Sequence, residues 1–410
     1  MKTIFLLKLI YRMHILFITD NFPPEVNAPA TRTYEHCKEW VNLGADVTVI
    51  TGAPNFPKGK VYNGYKNKLY QKELIDGIKV VRVWTYISAN EGFVKRILDY
   101  LSFMISSFLV GLFIKTDIII ATSPQFFSAI SGRWLGFWKR KKWIMEVRDL
   151  WPESIKAVGA MKGGIVIRFF EFLEKRMYKK AYKIVVVTDS FKEILVKQHN
   201  ILPSKIKVIK NGINSTLFQP IPKNFELLSK LNLQDKIIVG YIGTHGMAHG
   251  LDFILKSLKK INNKDLHFLF LGDGAKREEL IKLKESLNLN NVTMLPSVPK
   301  KEVVDYISIL DIALVNLKKS DTFRSVIPSK IFELSGMHKP ILLGVEGEAK
   351  EIIDKYKVGE AFEPENEKDF FDKIEKILIS KESYSSGYSS ILEDFDRSKI
   401  ASNMLTFIKT

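Results

Sequence analysis

Within residues 321–340, DTFRSVIPSKIFELSGMHKP, a cation and a carboxylate stand three positions apart at the start of a helix-like run. Ile331, Leu334 and Ser335 recur at helical spacing after Pro328, so Ser329 is expected to be the N-cap and Glu333 to lie in the first turn. Lys330 then joins the unpaired N–H groups at the positive end of a helix, a setting that suits a diphosphate. Glu333 is a carboxylate that can accept two sugar hydroxyls at once. The same residues also read as an ordinary capped helix with a favourable first-turn acid, and what surrounds them has to decide between the two.

The chain has 410 residues, 46% of them hydrophobic, which is enough for two domains with large cores. A single cysteine, Cys37, excludes a disulfide framework and any multi-cysteine metal site, and fits the reducing cytoplasm. The formal charge of +17, from 62 Lys and Arg against 45 Asp and Glu, attracts polyanions: nucleic acid, anionic lipid or phosphorylated ligands. The basic residues are scattered and no recognition motif accompanies them, so nucleic acid is not an expected partner. Residues 1–12, MKTIFLLKLIYR, have a basic start and an apolar run without a small-residue cleavage site, so no signal peptide is expected. Met13, beside the first convincing strand, offers an alternative start. Residues 97–114, ILDYLSFMISSFLVGLFI, approach transmembrane length, but Asp99 and several serines favour a buried or interfacial helix over a span.

Candidate chemistry needs a frame, and strand and helix patterns alternate along the chain. Residues 14–20 read as a strand, 29–43 as a helix with Tyr34, Cys37, Trp40 and Val41 inward and Gly44 as its stop, and 46–51 as the next strand. Such β-α-β units build parallel sheets with ligands at the carboxyl ends of the strands. The loop NFPPEVNAPAT, residues 21–31, sits at such an end and contains no G-x-G-x-x-G, so a dinucleotide fingerprint is absent. Further strands are expected at 79–85, 117–121, 142–147 and 183–188. Residues 134–143, WLGFWKRKKW, read either as a core helix end with a solvated basic turn, or as aromatics at lipid headgroups with cations on anionic phosphates. The nearby apolar helix tilts the reading towards a membrane surface.

Residues 207–218 are expected to give a strand and a tight Asn211-Gly212 turn, followed by a linker at 220–223. A second strand series then runs through 236–242, 266–271, 292–295, 312–317 and 341–344. The Ser-rich residues 380–390 read as a surface loop before a closing helix at about 391–410. The expected architecture is α/β, with two Rossmann-like domains facing a central cleft: residues 1–218 and 219–390, the last helix packing back on the first.

Six segments in this order resemble the family 4 retaining glycosyltransferases of GT-B fold: HILFITDNFPPE with DVTVIT, RDLWPES, KVIKNGINSTLF, YIGTHGMAHGLD, LGDG and PSKIFELSGMHKPIL. The resemblance covers nearly the whole chain after Met13, and within the family it is similar to the N-acetyl amino-sugar transferases, including the N-acetyl-fucosamine type of O-antigen and capsule assembly. It implies that residues 1–218 bind the acceptor and residues 219–390 the nucleotide-sugar.

Glu333 matches the second Glu of the family's Glu-seven-residues-Glu motif, which the resemblance implies holds the ribose hydroxyls. The first Glu falls on Ser325, so Ser325 or Arg324 is expected to meet the transferred sugar. The family's phosphate-binding Arg and Lys fall at Thr244 and His249, while Gly243 and Gly250 stay. Lys330, Ser329, Pro328, the backbone of Gly243 to Gly246 and a His249 donor are the expected replacements. The family's His-Asp pair becomes Arg148-Asp149, either a catalytic pair or an ion pair holding the turn before Trp151-Pro152. Val298 and Pro299 match backbone that meets the nucleobase, and Glu25, Asn27 and Arg32 are acceptor-side candidates.

The reaction implied is sugar transfer from a UDP-sugar to a polyprenyl-diphosphate-linked saccharide with retention at the anomeric carbon. The leaving diphosphate withdraws and the acceptor hydroxyl enters on the same face. No carboxylate pair of the kind retaining hydrolases use and no metal-binding Asp-x-Asp with supporting His ligands is evident in the sequence, so no protein nucleophile, metal or cofactor is expected. An anionic membrane surface is the expected partner, with the protein peripheral on the inner face of the plasma membrane. A UDP-N-acetylhexosamine epimerase of the same architecture and a non-catalytic nucleotide-sugar-binding subunit are the competing readings.

Overall fold

The computed structural model describes residues 12–56, 58–87, 93–123, 126–150, 164–261 and 263–410. Two of the expectations above fall on other residues: the apolar start up to residue 11, and the Trp151-to-Ser154 part of RDLWPES. The chain forms two compact units. One comprises Met1–Glu146, Lys179–Ile184 and Leu405–Thr410; the other comprises Val147–Tyr178 and Val185–Met404.

The first sheet contains β1 (His14–Ile18), β2 (Asp46–Thr51), β3 (Tyr70–Ile75), β4 (Ile78–Val83), β5 (Ile118–Thr122), β6 (Lys142–Val147), β7 (Lys183–Val186) and β8 (Ile206–Val208), in the order β3-β4-β2-β1-β5-β6-β7-β8. β1 pairs in parallel with β2 and β5, with α-helices carrying the chain back in between, and β2 pairs in parallel with β4, the return there being made by a loop and β3. These helices are α1 (Ala28–Asn42), α2 (Phe93–Gly111), α3 (Phe126–Trp138), α4 (Ile165–Lys180) and α5 (Asp189–Lys197).

β3 is the exception, running antiparallel to β4 through an Asp76-Gly77 turn with both residues at positive φ. That dipeptide is a strong hairpin signal, and the antiparallel pair it makes was not among the expected strands. Gly44 does end α1 at a φ of +87°. The inward face of α1 differs from expectation: Cys37 and Trp40 are buried, but Arg32, Thr33 and His36 accompany them while Tyr34 and Val41 are half-buried.

The second sheet contains β9 (Ile237–Ile242), β10 (Leu266–Leu271), β11 (Val292–Leu295), β12 (Ile312–Asn316), β13 (Ile341–Gly344) and β14 (Gly359–Ala361), ordered β11-β10-β9-β12-β13-β14 and parallel throughout. Its helices are α6 (Phe225–Leu231), α7 (Leu251–Leu258), α8 (Arg277–Ser286), α9 (Lys300–Ser308), α10 (Lys330–Gly336), α11 (Glu348–Tyr356), α12 (Glu367–Ile379), α13 (Ser385–Asp394) and α14 (Arg397–Lys409). β10 is buried along its whole length, as a strand covered on both faces must be.

Two local expectations are corrected. The Ser-rich residues 380–390 form a short 3₁₀ turn and α13 rather than a loop, and Tyr388 stacks on His338 at 4.7 Å between centroids. Asn211-Gly212 is not a positive-φ turn; Gly212 is needed because a Cβ there would lie 2.4 Å from the Phe395 carbonyl oxygen. The end of α14 closes on the first unit, where Lys183 Nζ donates to the Phe407 carbonyl at 2.7 Å.

Among the described residues no helix is long and apolar enough to cross a membrane. α2 buries Phe103, Met104 and Ser107 and leaves Leu98, Ile105 and Leu109 outward, so residues 97–114 give a half-buried helix and its following turn.

Candidate active site

In an open parallel sheet a ligand crevice forms where neighbouring strands send their connections in opposite directions. In the second sheet that point lies between β9 and β12: β9 leads outward to β10, and β12 leads the other way to β13. The loop after β9 holds Gly243, Thr244, Gly246 and His249; the segment after β12 leads to α10. Asn316 Nδ2 ties the two by donating to the His249 carbonyl at 2.7 Å, and the Lys318 N–H donates to the Ala248 carbonyl at 2.9 Å.

Glu333 lies in the first turn of α10 with its side chain 14% exposed, and Lys330 Nζ donates to its Oε2 at 3.0 Å. Burial by itself would raise the Glu333 carboxyl, but Lys330, Lys300 and Arg397 outweigh that and hold it below the usual carboxylate range. The site is therefore an ionised carboxylate set among three cations. Neither Lys300 nor Arg397 is evident as a site residue from the sequence. Lys300 opens α9 two positions after Val298, with its ammonium 5.6 Å from the Phe218 ring centroid. Arg397 opens α14, is buried and donates to the Gly212 carbonyl.

Ser329 occupies the cap position of α10 but has helical dihedrals and no side-chain cap bond, so it does not act as the expected N-cap. Pro328 and Ser329 are half-buried just before that helix. Ser325 is buried on a 3₁₀ turn and its Oγ donates to the Thr322 carbonyl at 2.9 Å, a bond that holds the turn. Arg324 beside it is exposed, 3.8 Å from Asp321.

The loop after β9 is less open to a phosphate than its glycines suggest. The Gly243 N–H donates to the Leu271 carbonyl and the His245 N–H to the Asp273 carbonyl, each at 2.9 Å, so two of the four amides are already used. Thr244 is exposed and its carbonyl accepts from Tyr241 Oη at 2.8 Å. Burial depresses His249 to about 4, so at neutral pH it is an uncharged imidazole. His245, which the sequence reading left out, is fully buried with neither ring nitrogen hydrogen-bonded, and is likewise depressed to about 4 by burial and then by Arg277. Pro299 is exposed at the start of α9 and Val298 is half-buried.

Arg148 and Asp149 follow the carboxyl end of β6. Burial pushes Asp149 up to about 6 and Arg148 pulls it part of the way back. The acceptor-side candidates are mostly committed elsewhere. Arg32 is buried with its Nε 3.0 Å from Glu146 Oε1, a pairing that keeps the guanidinium inside the unit. Glu25 is buried and its Oε1 accepts the Asn55 and Phe56 N–H groups at 2.8 Å, fixing a loop. Asn27 caps α1 by accepting the Ala30 N–H at 2.9 Å and donates to Asn21.

The comparisons with known proteins bear on the fold and the class of protein. Residues 29–217 match the model described as Glycosyltransferase Family 4, and residues 224–387 the model described as Glycosyl transferases group 1. WcaI of Escherichia coli (strain K12), named as a colanic acid biosynthesis glycosyl transferase, is 24% identical over 78% of this chain and 80% of its own. TuaH of Bacillus subtilis (strain 168), named as a teichuronic acid biosynthesis glycosyltransferase, is 26% identical over 57% of this chain and 58% of its own. The phosphatidylinositol N-acetylglucosaminyltransferase GPI3 subunit of Saccharomyces cerevisiae (strain YJM789) is 23% identical over 73% of this chain and 62% of its own.

Among solved structures, sucrose-phosphate synthase from Thermosynechococcus elongatus superposes with a TM-score of 0.76 at 16% identity, covering 97% of this chain and 98% of the other. HepE of Anabaena, crystallised with UDP and glucose, gives 0.74 at 15% identity, covering 97% of this chain and 100% of the other. The chain is a glycosyltransferase of the GT-B class, built as two parallel-sheet domains. More narrowly, it is similar to the family 4 glycosyltransferases, whose model matches residues 29–217.

Proposed function

We propose that this enzyme moves an N-acetylated amino sugar from a UDP-sugar to a polyprenyl-diphosphate-linked saccharide during bacterial surface polysaccharide assembly, with retention at the anomeric carbon. The observation that carries the donor half is Glu333, an ionised carboxylate beside Lys330, Lys300 and Arg397, near the switch point of the second sheet. A ribose diol donates to the carboxylate, while Lys330 and Lys300 meet the diphosphate. The names of WcaI and TuaH support a polysaccharide product, that of GPI3 an N-acetyl amino sugar on a lipid acceptor, and the HepE complex a UDP donor.

In the proposed step the bond from the anomeric carbon to the diphosphate oxygen breaks, and a bond to the acceptor oxygen forms on the same face. The acceptor proton passes to the departing diphosphate. Lysine charge stabilises that leaving group, the term expected to contribute most in such a site. Asp149, at about 6, and Arg148 are the pair proposed to orient the acceptor hydroxyl. Ser325, engaged with Thr322, offers the transferred sugar no carboxylate, and the exposed Arg324 beside it is the residue proposed to meet that sugar.

We also read the protein as peripheral on an anionic membrane through the end of α3, where Phe137 and Trp138 are exposed beside Lys139 and Arg140. Trp143 does not share in that surface: it is buried and its Nε1 donates to the Lys180 carbonyl at 3.1 Å.

The test is turnover of UDP-N-acetylhexosamines with and without a polyprenyl-diphosphate-linked saccharide, with the product's anomeric configuration read by NMR. Acceptor-dependent transfer with retention is expected. Isomerised UDP-sugar formed without acceptor would move the assignment to an epimerase.

A further inference from the structure

The first unit carries a groove of about 790 Å³ at the amino ends of its strands, the opposite end from the loops where parallel sheets bind substrates. Strand register explains its floor. His14 pairs with Asp46, Thr48 with Lys79, Lys79 with Leu74, and Val81 with Lys72, so these side chains share one face of the sheet. α2 covers that face further along, with Gly111 against Leu135 and Ile50. Its last turn and the residues after it, Val110 to Lys115, form the wall. The β3–β4 hairpin reaches past the helix, leaving Leu74 71% and Phe113 91% exposed.

The charges in the groove are unequal. Asp46 is taken by His14 at 3.0 Å and Lys79 at 2.7 Å, and Glu73 by the buried Arg82. Lys72 and Lys115 make no ion pair among the described residues, and the Lys72 ammonium lies 5.4 Å from the Tyr70 ring centroid. The apolar part of the trough, Leu74 and Val81 against Val110, Phe113 and Ile114, with two uncompensated cations at its rim, fits a ligand with a hydrocarbon chain and an anionic head. The trough also continues a surface: Leu98, Ile105, Leu109 and Phe113 are exposed at helical spacing along α2 and its end.

We propose that this groove binds one acyl chain of an anionic membrane phospholipid, with the phosphate at Lys72 and Lys115. The proposal rests on the membrane reading above and gives it a specific lipid seat. A lipid-linked acceptor is a poorer fit. Its diphosphate adjoins the sugar that must reach the carboxyl ends of the strands, whereas β1 alone separates the groove from those ends by about 17 Å.

The experiment uses the full chain and dodecyl phosphate as probe, with inorganic phosphate and dodecanol as controls, followed by calorimetry. Sedimentation with phosphatidylglycerol-containing vesicles is measured in parallel. Wild type is expected to bind dodecyl phosphate and neither control comparably. The double variant Lys72→Glu/Lys115→Glu should weaken that binding at least tenfold and lower vesicle sedimentation, with UDP binding unchanged. Thr48→Trp, which fills the floor, should do the same where it folds. Dodecyl phosphate binding that the charge reversal leaves intact overturns the proposal, as does equal binding of inorganic phosphate. If vesicles bind wild type and the charge-reversed protein alike, the groove assignment fails while the membrane reading stands; if wild type binds no vesicles, the membrane reading and the lipid seat fail together.

Discussion

Replacing Glu333 by Gln changes one acceptor charge and little else in shape. In the free protein Glu333 Oε2 already accepts from Lys330, a partly exposed pair contributing no more than about 1 kcal/mol. With UDP bound, two ribose hydroxyls donate to an ionised carboxylate, each bond contributing about 1.5–3 kcal/mol against about 0.5–1.5 kcal/mol for a neutral amide acceptor. The amide also keeps one acceptor atom rather than two. Releasing Lys330 towards the diphosphate returns part of the loss. At mid-range values this is about 4.5 kcal/mol against about 1, less about 1 for Lys330, a net penalty of about 2.5 kcal/mol or roughly a 60-fold weaker Kd for UDP, where 1.4 kcal/mol is tenfold.

Calorimetry with UDP and with 2′,3′-dideoxy-UDP on wild type and Glu333→Gln separates this effect from general damage. Wild type should prefer UDP strongly, and the variant should lose most of that preference while still binding the dideoxy compound as wild type does. If wild type binds both nucleotides equally, Glu333 does not hold the ribose and the proposed donor geometry is wrong.

Two further outcomes test the physical reading of the second unit. Glu348, buried in the first turn of α11, accepts from the Asp189 and Ser190 N–H groups at 3.1 and 3.0 Å and pairs with Lys210 at 2.9 Å; Glu348→Ala should cost about 2–3 kcal/mol in urea unfolding, and no change would show that these contacts contribute nothing net. His267 is depressed to about 4 by burial and then by Lys236 and Lys284, below the usual 6.5, so its contribution to stability is full above pH 6.5 and is lost as pH falls towards 4. The stability of wild type relative to His267→Gln should therefore fall by about 1.4 kcal/mol per pH unit between pH 6 and 5, and a pH-independent difference would contradict the depressed imidazole.

Strands were legible wherever apolar runs stood between turn signals, as at β2, β6, β10 and β11, whose bounds match the sequence reading residue for residue. β3 was not, because Tyr70, Lys72 and Leu74 face outward on an edge strand and no apolar alternation betrays it. The Lys330–Glu333 pair was legible because the two residues stand three positions apart on one helix. Arg397 was not, since only the return of the chain after α13 brings it back to the Gly212 carbonyl and the field of Glu333. Arg32 looked like a loop cation because its partner, Glu146, is 114 positions distant.

The same contrast bears on how the proposed donor site makes up for the cations that the family resemblance leads one to expect after β9. Thr244 carries no charge and His249 is neutral at physiological pH, so positive potential does not come from that loop's side chains. In the proposed donor site it comes instead from the ends of three helices: Lys330 on α10, Lys300 on α9 and Arg397 on α14, which together hold the Glu333 carboxyl below its usual range against desolvation. A field strong enough to do that is also one that favours a diphosphate brought beside the same carboxylate. The two anions then compete for Lys330, so donor binding should lengthen the Lys330–Glu333 pair and turn Oε2 towards the ribose. The pair that looks like an obstacle to phosphate binding is on this argument the resting state of the donor site, with the lysine held in place until a nucleotide-sugar draws it away.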